Sequence, residues 1–71
     1  MATSICVKIG RRIRVLRTER GWTQAMLADH AELAREHLSE LEKCHKEIGV
    51  LALERIVRAF GISLAKFFEG F

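Results

Sequence analysis

The chain has 71 residues, of which 49% are hydrophobic and 30% charged, and its formal net charge is +3. This length allows one domain at most, residues 1–71, and a domain so small buries little apolar surface. The lack of proline and the presence of only five glycines favour a compact, mostly helical chain over a disordered one. The longest uncharged run, residues 21–28, is far shorter than the roughly 20 apolar residues of a membrane span.

Cys6 and Cys44 are the only cysteines, too few for the disulfide framework of a small secreted domain. Residues 1–7 lack the basic start and the long apolar core of a signal peptide. We therefore expect a cytoplasmic protein with both cysteines reduced and with no membrane partner. Cys6 is expected to pack against the first helix as a small apolar residue.

The first predicted helix begins near Ser4, a residue type suited to N-capping, and ends at Gly21. Its apolar residues recur at helical spacing, and the core is expected to include Ile5, Ile9 and Ile13. Residues 8–20 contain six cations and one carboxylate, so this helix is the basic element of the chain. A basic face suits phosphate, anionic lipid or an acidic protein, and charge alone does not choose among them. For most of its arginines we expect only a solvated face.

Residues 23–46 read TQAMLADHAELAREHLSELEKCHK, with apolar positions that suit two short helices separated by a break. Thr23 is a suitable N-cap for the first of them, which should run to about Ala31. The chain should pause over residues 32–34 and restart as a helix from Arg35 to Glu42. Two helices at a large angle can then bury one shared seam.

The C-terminal third predicts two more helices. Residues 50–60 have the apolar stripe of a fourth helix closed by Gly61, and Ser63 can cap a short fifth helix over residues 63–69. Three of the four phenylalanines lie in the last five residues, which is more apolar surface than so small a monomer can cover. We expect a homodimer whose interface contains Leu64, Phe67, Phe68 and Phe71.

The whole pattern resembles the Cro/repressor/Xre family of prokaryotic and phage DNA-binding regulators. The resemblance rests on joint spacing at Ile13, Leu16, Arg17, Gly21, Thr23, Gln24, Leu27, Ala28, Leu33, Leu38, Ser39, Leu41, Glu42, Leu53, Ile56, Ala59 and Gly61. It implies an all-α fold, a bundle of five short helices with a helix-turn-helix at about residues 23–42. It also implies that Arg17 and Glu42 form a structural ion pair. The chain departs from the family at Glu32 and Cys44, where glycine is usual, and at Ala34, where Ser or Thr is preferred.

The resemblance implies double-stranded DNA as the partner and assigns residues to two kinds of contact. The base-contacting residues would be Ala34, Arg35, Glu36, Ser39 and Glu40. The backbone-contacting residues would be Gln24, His37, Lys43, His45 and Lys46. Arginine can bond guanine O6 and N7 together, and glutamate can accept from cytosine N4. Carboxylates near phosphates cost affinity unless they are paired, which leaves three interpretations of Glu36 and Glu40. They either read bases, or orient Arg35, or mark a motif that has drifted toward protein contacts.

Other function classes find little support in the sequence. No glycine-rich phosphate loop, nucleophile elbow, kinase motif or zincin motif occurs, so we expect no enzyme and no cofactor. His30, His37 and Cys44 recur every seven residues, but the break near Glu32 destroys that register, and we expect no metal. We expect no small-molecule ligand, because 71 residues leave no room for a separate effector domain. The leading interpretation is a homodimeric transcriptional regulator on an inverted-repeat operator. The alternative is an antitoxin-type or other protein-interaction module that binds DNA secondarily.

Overall fold

The computed structural model describes the backbone of residues 4–71 and the side chains of residues 5–71. Five helices and no strand occur in this range, which confirms the predicted all-α fold. They are α1 (Ser4–Glu19), α2 (Gln24–Ala31), α3 (Arg35–Glu42), α4 (Val50–Phe60) and α5 (Leu64–Phe67). The cap predicted for Ser4 concerns a side chain outside the described residues. None of the five helices combines the length and apolarity that crossing a membrane requires.

Side chains cap two helix starts. The Thr23 hydroxyl accepts a hydrogen bond from the Met26 N–H at 3.1 Å, and the Ser63 hydroxyl accepts one from the Lys66 N–H at 3.0 Å. Each bond satisfies a backbone donor that the first helical turn leaves without an intrahelical partner. Ala34 and Gly49 precede α3 and α4 without such a bond.

The first four helices end in the same way, with one residue in the left-handed conformation. The residues are Gly21, Glu32, Cys44 and Gly61, with φ of 70°, 57°, 57° and 72°. After α3, for example, the His45 N–H donates to the Glu40 carbonyl at 2.9 Å and the Cys44 N–H to the Leu41 carbonyl at 3.2 Å. This bond pair is a Schellman motif, which favours glycine because the left-handed conformation crowds a Cβ. The family's glycine preference at positions 32 and 44 therefore has a direct conformational reason here.

The core lies where α2 packs against α3 and α4 and where α1 packs against α3. Its buried residues are Ile9, Ile13, Leu27, Ala28, Ala31, Leu38, Leu41, Ile56, Val57, Phe60 and Phe67. Ile5, expected in the core, is half exposed, because it lies in the first turn of α1, before the buried stripe begins at Ile9. Trp22 stacks on His30 and Phe60, with ring centroids 4.6 and 5.9 Å apart, and so links the start of α2 to the end of α4.

At Gly10 the backbone of α1 lies close to the last residues of α3. A Cβ placed on Gly10 would lie 2.5 Å from the Glu42 carbonyl oxygen and 2.9 Å from that of Leu41. Both atoms belong to the backbone, so neither can rotate away. The glycine therefore allows α1 to lie directly against the end of α3.

The prediction that both cysteines are reduced is wrong for this structure, in which Cys6 and Cys44 form a disulfide. Their Cα atoms lie 5.6 Å apart, although 38 positions separate them in sequence. Gly10, one turn after Cys6, allows this distance by bringing α1 against the end of α3. The left-handed conformation of Cys44 is part of the same junction. Cys6 is accordingly a bonding partner of the chain that follows α3, and packing within an apolar layer is not its role.

Two arginines of α1 tie this helix to the ends of other helices. Arg12 donates to the carbonyls of Phe67 at 2.6 Å and Glu69 at 3.0 Å. Arg20 donates to the Phe60 carbonyl at 2.9 Å, and its guanidinium lies 4.7 Å from the centroid of the Phe60 ring. C-terminal carbonyls of a helix lack intrahelical donors and carry partial negative charge, so these contacts hold α4 and α5 against α1.

Gly10→Ala is expected to destabilise the fold by about 1–3 kcal/mol, the usual cost of overpacking, although alanine is the better helix former. Gly49→Ala is the matched control, because a Cβ at Gly49 meets no atom within 4 Å and Gly49 has an ordinary φ of −77°. The control should lose about 1 kcal/mol at most. Urea unfolding of the two variants compares them, and equal midpoints would contradict a tight contact at Gly10.

Candidate nucleic-acid interface

The helix-turn-helix is formed by α2, a three-residue turn and α3. Glu32 in its left-handed conformation ends α2, and the Leu33 N–H donates to the Ala28 carbonyl at 2.8 Å. The chain then enters α3 with Leu38 and Leu41 buried against the rest of the domain. The opposite face of α3 is thereby turned to solvent.

The five predicted base-contacting residues lie on or next to this solvent-facing surface. Ala34, Arg35 and Glu36 are exposed, and Ser39 and Glu40 are half-buried. Arg35 and Glu36 form no hydrogen bond or ion pair through their side chains within residues 5–71. Arg35 is therefore not oriented by Glu36 or Glu40 in this structure.

Glu40 has a different partner. Its carboxylate lies 3.6 Å from the Lys46 ammonium in a solvent-exposed pair. An exposed pair of this kind contributes little stability, but it offsets a negative charge on the outer face of α3. Lys43, His45 and Lys46 are exposed in the segment after α3, and His37 is half-buried. Two of the predicted backbone-contacting residues, Lys43 and Lys46, thus bring positive charge to the C-terminal end of α3, whereas His37 lies in its first turn.

Arg17 and Glu42 form a two-pronged ion pair under this surface. Arg17 Nε and Nη2 donate to the two carboxylate oxygens of Glu42 at 2.8 and 3.0 Å. The Glu42 side chain is only 3% exposed, so its charge depends on these partners. Arg17 Nη1 also donates to the Trp22 carbonyl at 3.0 Å, and the Gln24 amide donates to Glu42 at 3.1 Å. The network joins α1, the start of α2 and the end of α3.

Gln24 therefore has a bonding partner that the sequence did not predict. A side-chain amide has two N–H donors, and the bond to Glu42 uses one of them. The structure places Gln24 half-buried at the first position of α2.

The arginines of α1 separate into two groups that the sequence did not distinguish. Arg12, Arg17 and Arg20 bond to other parts of the fold. Arg11 and Arg14 are exposed and have no hydrogen bond or ion pair within the part of the chain that the structure describes. They line a hollow of about 90 Å³ together with Lys43 and Cys44 and with Val7 and Glu42, the last of which is paired with Arg17. The positive surface at the end of α3 therefore continues onto α1.

The four residues predicted for a dimer interface do not form one patch. Phe67 is completely buried in the core of its own chain, so it has no surface to offer a second copy, and its assignment to the interface is wrong. Phe68 and Phe71 pack on it and on each other, with ring centroids 5.0–6.1 Å apart. Phe71 also lies under the Arg12 guanidinium at 4.9 Å, beside α1. Leu64 is 45% exposed and lines a different hollow, against α4.

No group of three or more His, Cys, Asp or Glu side chains in residues 5–71 is arranged to hold a metal ion. Of the residues that suggested such a site, His30 stacks on Trp22 and Cys44 is bonded to Cys6.

Comparison with known proteins identifies a helix-turn-helix family and relatives that are repressors. A family model described as helix-turn-helix matches residues 13–67. The competence pilus inhibition repressor of Acinetobacter baylyi is 37% identical over 60 residues, which cover 84% of this chain and 54% of that protein. The chain thus spans about half the length of this relative.

Solved structures of two restriction-modification controller proteins have the same fold. C.Esp1396I, as a tetramer in complex with its natural 35 base-pair operator, is 30% identical with a TM-score of 0.89, over 94% of this chain and 88% of that one. C.AhdI from Aeromonas hydrophila is 27% identical with a TM-score of 0.88, over 93% of this chain and 100% of that one.

Removing either Arg17 or Glu42 by substitution with alanine is expected to destabilise the fold by about 3–5 kcal/mol, because its partner is left buried and uncompensated. The double variant should lose less than the sum of the two single losses. The exposed pair of Glu40 and Lys46 is the control, for which each alanine variant should cost about 1 kcal/mol or less. Urea unfolding of the single and double variants of both pairs measures the coupling free energy between the two residues of each pair. Strict additivity for Arg17 and Glu42 would contradict a direct interaction.

Proposed function

We propose that this chain, which belongs to the Cro/repressor/Xre family of helix-turn-helix proteins, is a sequence-specific DNA-binding regulator of transcription. The observation that carries the proposal is the outer face of α3. Arg35 and Glu36 are exposed there and have no side-chain partner among residues 5–71, and cations from α1 and the segment after α3 lie at its far end. A helix presented in this way fits the major groove of B-DNA with its N-terminal residues toward the bases.

The base-reading role falls on the start and middle of α3. Arg35 has a guanidinium suited to guanine O6 and N7, and Glu36 and Glu40 have carboxylates suited to cytosine N4. Ala34 and Ser39 lie next to them and would contact the same base pairs. Of these side chains, Arg35 is exposed and has the strongest potential for discrimination, since one two-pronged contact to guanine contributes about 1–3 kcal/mol.

The negative charge of α3 is less of an obstacle than its sequence suggests. Glu42 is neutralised by Arg17 inside the fold, and Glu40 is offset by Lys46. Of the three carboxylates in α3, only Glu36 has no paired cation within the described side chains, residues 5–71. One unpaired carboxylate near the bases is compatible with binding, because phosphate contacts elsewhere supply most of the affinity.

The phosphate-contacting surface has two parts. Lys43, His45 and Lys46 follow α3, His37 lies in its first turn, and Gln24 retains one amide donor at the start of α2. To these we add Arg11 and Arg14, because they share a hollow with Lys43 and have no partner within the described residues. Each phosphate neutralised in this way would release counterions and make binding weaken with salt.

We further propose that the protein acts as a homodimer on an inverted repeat in the cytoplasm. The surface that favours self-association is the outer face of α4 and α5, where Leu51 is 71% and Leu64 45% exposed. Leu64 lines a hollow of about 270 Å³ with the apolar Val57 and Ile62 and with the charged Glu54 and Arg58 of α4. Two copies joined there by a two-fold axis would present two α3 helices to successive major grooves about 34 Å apart.

Arg35→Ala is expected to relax base preference at one position of each half-site, at a cost of about 1–3 kcal/mol per contact. Lys46→Ala should weaken binding to all sequences alike and flatten the salt dependence, because a phosphate contact carries no sequence information. Selection of bound duplexes from random DNA, followed by binding titrations at several salt concentrations, separates the two effects. An unchanged ranking of operator variants in Arg35→Ala would exclude Arg35 as a base reader.

Leu51→Ser combined with Leu64→Ser is expected to convert a dimer of about twice 8.1 kDa into monomers, because it removes the apolar surface of the proposed interface. Val15→Ser is the control, since Val15 is also exposed, at 42%, but lies on α1. Sedimentation equilibrium without DNA measures the mass. A wild-type protein that stays at 8.1 kDa, or a dimer unaffected by the double change, would contradict this interface.

A further inference from the structure

Cys44 occupies a backbone position that a cysteine fills at a cost. Its φ of 57° lies in the left-handed region, where a residue with a Cβ is disfavoured and glycine is not. A glycine would close the Schellman motif after α3 equally well. The cysteine adds one thing that glycine lacks, a sulfur bonded to Cys6 of α1.

We propose that Cys6 and Cys44 form a reversible thiol–disulfide site through which oxidants adjust the affinity of this protein for DNA. The proposal rests on the function proposed above. The reason for it is the position of the disulfide, which links α1 to the end of α3. It therefore joins the part of the phosphate-contacting surface on α1 to the part that follows α3. Cys44 is flanked in sequence by Lys43 and His45, and it lines one hollow with Arg11 and Arg14 of α1.

The surroundings of the two sulfurs suit reversible chemistry. Both cysteines are half-buried, so a small reagent can reach them from solvent. Cys44 lines a hollow at the surface with Arg11, Arg14 and Lys43, and with Val7 and Glu42. In reducing compartments, the disulfides that do occur are usually transient and act in catalysis or redox sensing. A structural staple would be expected in an apolar setting, where cysteines are inert.

The reaction is an exchange with a low-molecular-weight disulfide. One protein thiolate attacks a sulfur of the small disulfide, which forms a mixed disulfide and releases one small thiolate. The second protein thiolate then attacks the protein sulfur of the mixed disulfide and releases the other small thiolate. The two protons lost by the cysteines end on the two released thiols. The cysteines are oxidised by two electrons, and the small disulfide is reduced by the same two.

The oxidised form is expected to bind DNA more tightly. The bond holds Cys44 against α1, so Lys43 and His45 are fixed relative to Arg11 and Arg14 before DNA arrives. In the reduced form the same side chains must be ordered during binding, which lowers affinity. The expected difference is about threefold to tenfold in Kd for each chain.

The experiment compares oxidised and reduced wild-type protein on one duplex, obtained by selection from random DNA with the wild-type protein. The protein is treated with oxidised glutathione or with dithiothreitol, and alkylation followed by mass spectrometry counts the thiols. Fluorescence anisotropy then gives Kd. The matched control is Cys6→Ser with Cys44→Gly, which cannot form the bond and keeps a residue suited to the left-handed position. Its Kd should be the same under both treatments and close to that of the reduced wild type.

Equal affinity of the two wild-type forms, with alkylation showing that the bond has formed and broken, would overturn the proposal. Cysteine thiols that stay free after treatment with oxidised glutathione would also overturn the proposal. Either result leaves the proposed DNA-binding function intact. Failure of both forms and of the control to bind any selected duplex would overturn the proposed function itself and this proposal with it.

Discussion

The contact between α1 and the end of α3 positions the outer face of α3. Arg17 reaches across it with both prongs of its guanidinium to a carboxylate that is almost fully buried. A buried charge is tolerated only when it is paired and hydrogen-bonded, so the bonds of Glu42 to Arg17 and Gln24 favour an orientation of α3 in which both donors reach it. Gly10 makes the approach sterically possible. The outer face of α3 is thereby presented at an angle that its own short sequence does not determine.

The cations of α1 show how one charge pattern serves two purposes. Arg12, Arg17 and Arg20 donate hydrogen bonds to backbone carbonyls and to Glu42, and so stabilise the fold. Arg11 and Arg14, on the same helix, have no such partner in residues 5–71 and border the end of α3. A count of charges treats all five alike. Only the packing of α1 separates those that hold the domain together from those available to a polyanion.

The fold was predictable from the sequence because local signals agreed with each other. Thr23, Ser63 and Gly61 mark helix ends by backbone chemistry, and the apolar spacing in α3 and α4 reports which face is buried. The candidate site was predictable in its α3 residues, which lie on the surface of one helix. The disulfide was not, because its formation depends on the distance between α1 and the end of α3, which sequence spacing does not contain. Phe67 was misassigned because composition shows how many apolar residues exist and not which of them the core accepts.

Trp22 is the only tryptophan of the chain, and its surroundings make it a natural optical reporter. Its indole is held in a stack with His30 of α2 and Phe60 of α4, while its own carbonyl accepts a bond from Arg17. The emission of one fluorophore therefore depends on the packing of α2 on α4 and on the junction that orients α3. Any event that shifts α3 relative to the core can be followed by the intrinsic fluorescence of Trp22, without an attached dye.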